Sequence, residues 1–226
     1  MNAPLVDMVL CGANLFGFAP ALDQRQRNDW LHSNLLAQLA ADRQFPQRAS
    51  GWQALYENTL GHMAWVMLKS RANTARLTLP DAFTITGLLS TQLPGVLVES
   101  QRLVVEDMLS RLQVANGSPC GQLLRARMCP VGAEVGTFNR LAFTLSLVLS
   151  EKEALTLQLD FDTSQTLASN WLSMALQPRQ LQSEVSFRYS AWTLGDYEQI
   201  RVLADRRASE LRDSQIASLY FQASLD

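Results

Sequence analysis

The sequence predicts an α+β fold: a helical N-terminal half packed on a C-terminal antiparallel meander of about four strands, closed by a C-terminal helix. Two observations carry this. Between Thr137 and Asp162, Leu141, Phe143, Leu145, Leu147 and Leu149 alternate with Arg140, Ala142, Thr144, Ser146 and Val148. After the polar turn Ser150-Glu151-Lys152-Glu153, Leu155, Leu157, Leu159 and Phe161 alternate with Thr156, Gln158, Asp160 and Asp162. Side chains on a strand point to opposite faces in turn, so this is a hairpin with one buried and one wetter face. The first half instead repeats its apolar residues every three or four positions, the helical period.

Residues 1–22 form an apolar N-terminal arm, with Val9, Leu10, Leu15, Phe16 and Phe18. It lacks the positive start of a signal peptide, and Gly12, Gly17 and Pro20 argue against a spanning helix. The arm is expected either to pack on the domain or to face lipid. Residues 23–115 read as the mainly helical half. Asp23 or Asn28 caps a helix running to about Arg43, with Trp30, Leu31, Leu35 and Leu39 inward. Ser50 with Gln53 predicts a capping box for a second helix through Trp52, Tyr56 and Leu60. Ala64–Leu68 leaves that helix as a strand. Asn73-Thr74 reads as a turn and Arg76–Leu79 as a short strand. Pro80 introduces a short helix through Phe83, Leu88 and Leu89, and another runs from about Leu97 to Gln113. Asn116-Gly117-Ser118-Pro119 is the clearest loop signal. Residues 120–226 follow as sheet plus final helix. Gln122–Cys129 is expected as the first strand and Leu181–Thr193 as the fourth. Gly195-Asp196 opens the last helix, through Tyr197, Ile200, Ala204 and Leu211. One domain spanning residues 1–226 is expected, because the meander needs a cover for its apolar face.

Composition narrows the function classes. A net charge of −2 and 47% hydrophobic residues suit a water-facing protein with a sizeable core, and give no basic excess for nucleic acid. Of nineteen basic residues only Lys69 and Lys152 are lysines, a bias expected of GC-rich coding. Cys11, Cys120 and Cys129 are odd in number and form no C-x-x-C, so a reducing compartment is expected rather than a disulfide framework. A cytoplasmic protein, exported if at all without a cleaved signal, is the corresponding reading of location.

No phosphate-binding loop, dinucleotide fingerprint or nucleophile elbow is present, and two histidines cannot build a zinc motif, so no cofactor and no metal are expected. Three constellations remain. A cysteine nucleophile would be Cys120, in the Ser118-Pro119-Cys120-Gly121 turn, with His62 or His32 as base and an acid such as Asp81. Its competitor is a packed, inert thiol, with Cys129 still deeper and His62 a structural histidine within the apolar run Leu60–Leu68. Asp160 and Asp162 share one strand face and could pair, against the simpler expectation of a solvated face. Arg206-Arg207, interleaved with Asp205, Glu210 and Asp213, reads as a mixed solvated face.

The run Asn34-Leu35-Leu36-Ala37-Gln38-Leu39-Ala40-Ala41, the series Trp52, Tyr56, Leu60, Ala64-Trp65-Val66, and the series Tyr197, Arg201-Val202, Leu211, Ile216 together resemble small bacterial virulence proteins of the Erwinia virulence factor type. That resemblance implies an α/β protein with a fatty acid on a cysteine and no known enzymatic activity. It therefore implies a non-enzymatic effector or interaction protein, associating with a membrane or acyl group. Cys120 or Cys11 would be the lipid attachment or contact site, and a protein partner is expected. One acyl chain gives only marginal membrane binding, so the arm around Cys11 would be the second anchor. The alternative is the cysteine-dependent hydrolase or acyltransferase.

Overall fold

The computed structural model describes residues 7–73, 79–115, 117–129, 138–211 and 215–218. It is α+β, but among the described residues its sheet has seven strands rather than four and is mixed. Strands are β1 (Asp7–Cys11), β2 (Asn14–Phe18), β3 (Trp65–Asn73), β4 (Asn139–Val148), β5 (Glu153–Thr163), β6 (Ser186–Leu194) and β7 (Ile216–Ser218). Their spatial order is β3-β6-β5-β4-β2-β1-β7.

The β4–β5 hairpin forms as the alternation requires. Leu141, Phe143, Leu145 and Leu147 stand opposite Phe161, Leu159, Leu157 and Leu155 on one face. Arg140, Ala142, Thr144 and Ser146 stand opposite Asp162, Asp160, Gln158 and Thr156 on the other. Each face carries its own core. Against the first lie α3 (Ile85–Gln92), α4 (Glu99–Val114) and α5 (Pro119–Met128), enclosing Leu89, Val105, Met108, Leu124 and Met128. Against the second lie α1 (Gln24–Gln44), α2 (Trp52–His62) and α6 (Glu198–Ser209), enclosing Trp30, Leu35, Trp52, Leu60 and Trp192. The helices are thus shared between both faces of the sheet, which buries it on two sides.

Three expectations are corrected, and of the two readings of the apolar arm the packed one holds. The arm packs as part of the sheet: β1 and β2 form a hairpin about Gly12, and β2 runs parallel to β4, pairing Leu15 with Leu145. Both faces of the hairpin are apolar because both are covered. Gln122–Cys129 is not a strand but lies on α5, started by Ser118, whose hydroxyl accepts from the Gly121 N–H at 3.2 Å, with Pro119 in the first turn. Serine before proline is a helix start, and that signal outweighs a short apolar spacing. The Ser50–Gln53 capping box is absent. Gly51 is the N-cap at φ +99°, and a Cβ there would lie 2.7 Å from the Phe45 ring, so ring and turn select glycine. The last helix does not close the chain, since β7 returns to pair with β1.

The short helix expected to open at Pro80 starts only at Ile85, capped by Thr84, and Phe83 before it forms a β-bridge to Leu176 instead. The other elements fall close to expectation. Asp23 caps α1 with a reciprocal Gln26 bond. The chain leaves α2 at His62 and turns through Ala64 at φ +63°, whose carbonyl accepts from the Gly195 N–H at 2.7 Å, into β3. β6 begins at Ser186, later than Leu181, because Pro178–Gln180 forms a short 3₁₀ turn first. The turn at Asn73-Thr74 and the strand at Arg76–Leu79 fall largely on residues 74–78, outside the described residues.

Candidate functional site: a charged cleft over the polar sheet face

The second face of the sheet changes character along its strands. Under α1 it is apolar, with Val148, Ala154 and Trp192. It continues through Ser146, Thr156 and Ser190, all buried, where Asn14 Nδ2 donates to Ser146 Oγ at 3.0 Å. Beyond Thr144 and Gln158 the helical cover ends, and Arg140, Asp160, Asp162 and Arg188 open into a cleft of about 360 Å³. Its far wall is the segment Arg48–Gln53 leading into α2.

Two arginines from distant parts of the chain meet here. Arg140 reaches Asp160 Oδ1 with Nε at 3.2 Å and Nη2 at 3.0 Å, and donates through Nη1 to the Arg48 carbonyl at 2.8 Å. The Arg48 guanidinium lies over the Trp52 ring, 4.4 Å from its centroid, and Nη1 donates to the Ala142 carbonyl at 3.4 Å. Such stacking holds a cation without hydrogen-bonding it fully. Trp52 is fixed in turn by its indole N–H on Asp42 at 2.6 Å. Nearby, Arg188 pairs with Glu57 at 2.8 Å, and Gln53 donates to the same carboxylate oxygen at 2.7 Å.

Burial raises the Asp160 carboxyl above the usual range despite the neighbouring Arg140 and Arg48. Burial likewise lowers the Arg48 guanidinium, with Asp160 and Asp42 opposing. The cleft thus holds partly desolvated charges of both signs. Asp160 and Asp162 do line one face, as their spacing implies. That face is walled on one side by α2 and its approach rather than fully open, and Asp160 takes Arg140, not Asp162, as its hydrogen-bonding partner. Arg48 and Arg140 were not among the candidates from sequence.

The cysteine and histidine candidates are distributed across the sheet. Cys120, half-buried in the first turn of α5, packs on the core of the α3–α5 side. Its expected acid, Asp81, is exposed in the turn before Phe83 on that side. His32 lies on α1 across the sheet, its Nδ1 2.7 Å from Asp205 Oδ1, and its buried Nε2 has no hydrogen-bond partner. His62 ends α2 and is exposed, not packed, because the chain reverses into β3 immediately after it. Cys11 is fully buried, its thiol donating to the Leu31 carbonyl at 3.3 Å, and burial pushes its pKa far up. Burial also pushes the Cys129 thiol up to about 12. Arg206 and Arg207 are exposed, as expected. Among the described residues no cluster of His, Cys, Asp or Glu could hold a metal ion, and no helix is long and apolar enough to cross a membrane.

A separate apolar groove of about 630 Å³ opens beside α3, lined chiefly by Leu79, Pro80, Ala82, Phe83, Leu88 and Ala175. Phe83 is tied into the structure by reciprocal backbone bonds with Leu176 at 3.0 and 2.7 Å.

No family model and no curated protein matches the chain. Among solved structures it is similar to a delta-endotoxin, with a TM-score of 0.44 and 10% identity over 80% of this chain and 78% of that one. It is also similar to the Evf virulence factor, with a TM-score of 0.36 and 9% identity over 95% of this chain and 86% of that one. The second is a weak structural neighbour, too distant to assign this chain to a family.

Proposed function

We propose that this chain is an interaction protein whose charged cleft takes a short polar peptide segment. The observation that supports this is the alternation of Arg48, Arg140 and Arg188 with Asp160, Asp162 and Glu184 around one opening, with Trp52 beneath Arg48. A ligand that answers such a lining carries both a carboxylate and a cation, and half-buried charges reward it more than exposed ones would. Calorimetric titration with the dipeptide Arg-Glu, against Ala-Ala as control, tests it. Arg-Glu is expected to bind, and Arg140→Ala and Asp160→Asn each to weaken it by about tenfold. Equal binding of both dipeptides, or no effect of either substitution in a folded variant, overturns the reading.

A second reading rests on the apolar groove beside α3, whose volume suits a small-molecule site of roughly 300–1,000 Å³. A fatty acyl chain would occupy it, with Cys120, which packs on the core of the same side but does not line the groove, as the attachment point. Intact-mass measurement of protein from its native host should then show an acyl-sized increment removed by hydroxylamine and by Cys120→Ser. A bare polypeptide mass ends this reading and leaves the cleft proposal untouched.

A further inference from the structure

β3 is an outer strand of the sheet, paired only with β6 among the described residues. Edge strands present unpaired N–H and C=O groups, and proteins usually shorten or cover them. β3 instead runs nine residues, and from Val66 to Ala72 its side chains are exposed, with Val66 at 52% and Leu68 at 62%. The ladder carries an irregularity between Met67 and Lys69, which places Leu68 outside regular pairing. Beyond it, Lys69 to Asn73 stand in unbroken register opposite Ala191 to Phe187.

Charge selects what such an edge would accept. Lys69 stands opposite Ala191 and Arg71 opposite Tyr189, so both cations lie on the face toward the α3–α5 side. Neither β3 nor β6 contains a carboxylate, while the whole chain is net negative. A second copy is a poor fit. Antiparallel pairing about the middle of β3 sets Lys69 against Lys69 or against Arg71, and like charges directly opposite are destabilising. From this juxtaposition we infer that β3 is a docking edge for an extended segment of another protein, bearing carboxylates two residues apart and apolar residues between them. The backbone ladder supplies affinity, the two carboxylates facing Lys69 and Arg71 set the register, and the apolar positions between them lie on the other face with Met67 and Ala72. This surface is independent of the charged cleft.

The test uses the full chain and two fluorescein-labelled peptides, Thr-Val-Glu-Val-Glu-Val-Thr and its Glu-to-Lys counterpart, followed by anisotropy at low salt. The acidic peptide should bind at least about tenfold more tightly, and the β3 amides should gain protection from hydrogen exchange. The double substitution Lys69→Glu/Arg71→Glu should reverse the preference. Its side chains are exposed, so an unchanged circular dichroism spectrum confirms that it folds. Failure of the acidic peptide to bind, binding insensitive to the charge reversal, or protection arising elsewhere than β3 overturns the inference. So does sedimentation showing that the edge is taken by a second copy of the chain.

Discussion

At the scale of single residues, burial sorts chemically similar groups into different roles. Of the three cysteines, Cys11 and Cys129 are buried and their thiols held neutral, while Cys120 reaches the surface. Iodoacetamide at mildly alkaline pH should therefore add one label to the native protein, on Cys120, and three after denaturation, counted by intact mass. Asp160 obeys the same physics with the same sign. Its folded carboxyl holds a proton more tightly than the unfolded chain does, chiefly because it is desolvated. By linkage, its contribution to stability improves as pH falls toward and through the carboxylate range. The melting temperature of the wild type, minus that of Asp160→Asn, should rise as pH is lowered from about 7 to about 4. A difference that stays flat would mean that Arg140 and Arg48 fully offset the burial.

At the scale of elements, approach distance matters as much as propensity. β2 lies close to α4 at Gly17, where an added Cβ would meet the Met108 Sδ and Cε at 2.6 Å. Met108 is itself fully buried. Gly17→Ala is expected to destabilise by about 1–3 kcal/mol through overpacking. Removing the obstructing side chain in Gly17→Ala/Met108→Ala should then cost less than the sum of the two single changes, as measured by urea melts. Elements were legible where the pattern was local and strong. The alternation around Leu141–Phe161, the Asp23 cap and the stripes on α1 and α4 each depend on residues within a few turns. α5 was misread because two capping residues, Ser118 and Pro119, outweigh the apolar spacing that follows them. The N-terminal hairpin was only half legible, because a strand buried on both faces looks like any apolar run. The cleft was half legible. The turn at Ser150–Glu153 alone places Arg140 opposite Asp162 and beside Asp160, whereas Arg48 arrives from 92 residues away and leaves no trace in local pattern.

At the scale of the molecule, two separate cores share one sheet. Trp30, Trp65 and Trp192 meet edge to face on one side, with ring centroids 4.6 and 5.6 Å apart. Phe143 and Trp171 meet at 6.2 Å on the other. The sheet is a wall that the two sides share: Ala142 and Phe143, neighbours on β4, belong to the cleft and to the opposite core respectively. The floor of the cleft is thus paired strand, and its far wall is the Arg48–Gln53 segment.

The parallel pairing of β2 with β4 also has a consequence in time. Asn14 finds Ser146 132 residues later in the chain. A ribosome adding about 5–20 residues per second leaves the N-terminal hairpin without its neighbour for roughly 7 to 26 seconds. Throughout that interval Leu15, Phe16 and Phe18, all destined for the interior, are without their β4 neighbours. The strands of this sheet that are made first are thus among the last to be secured.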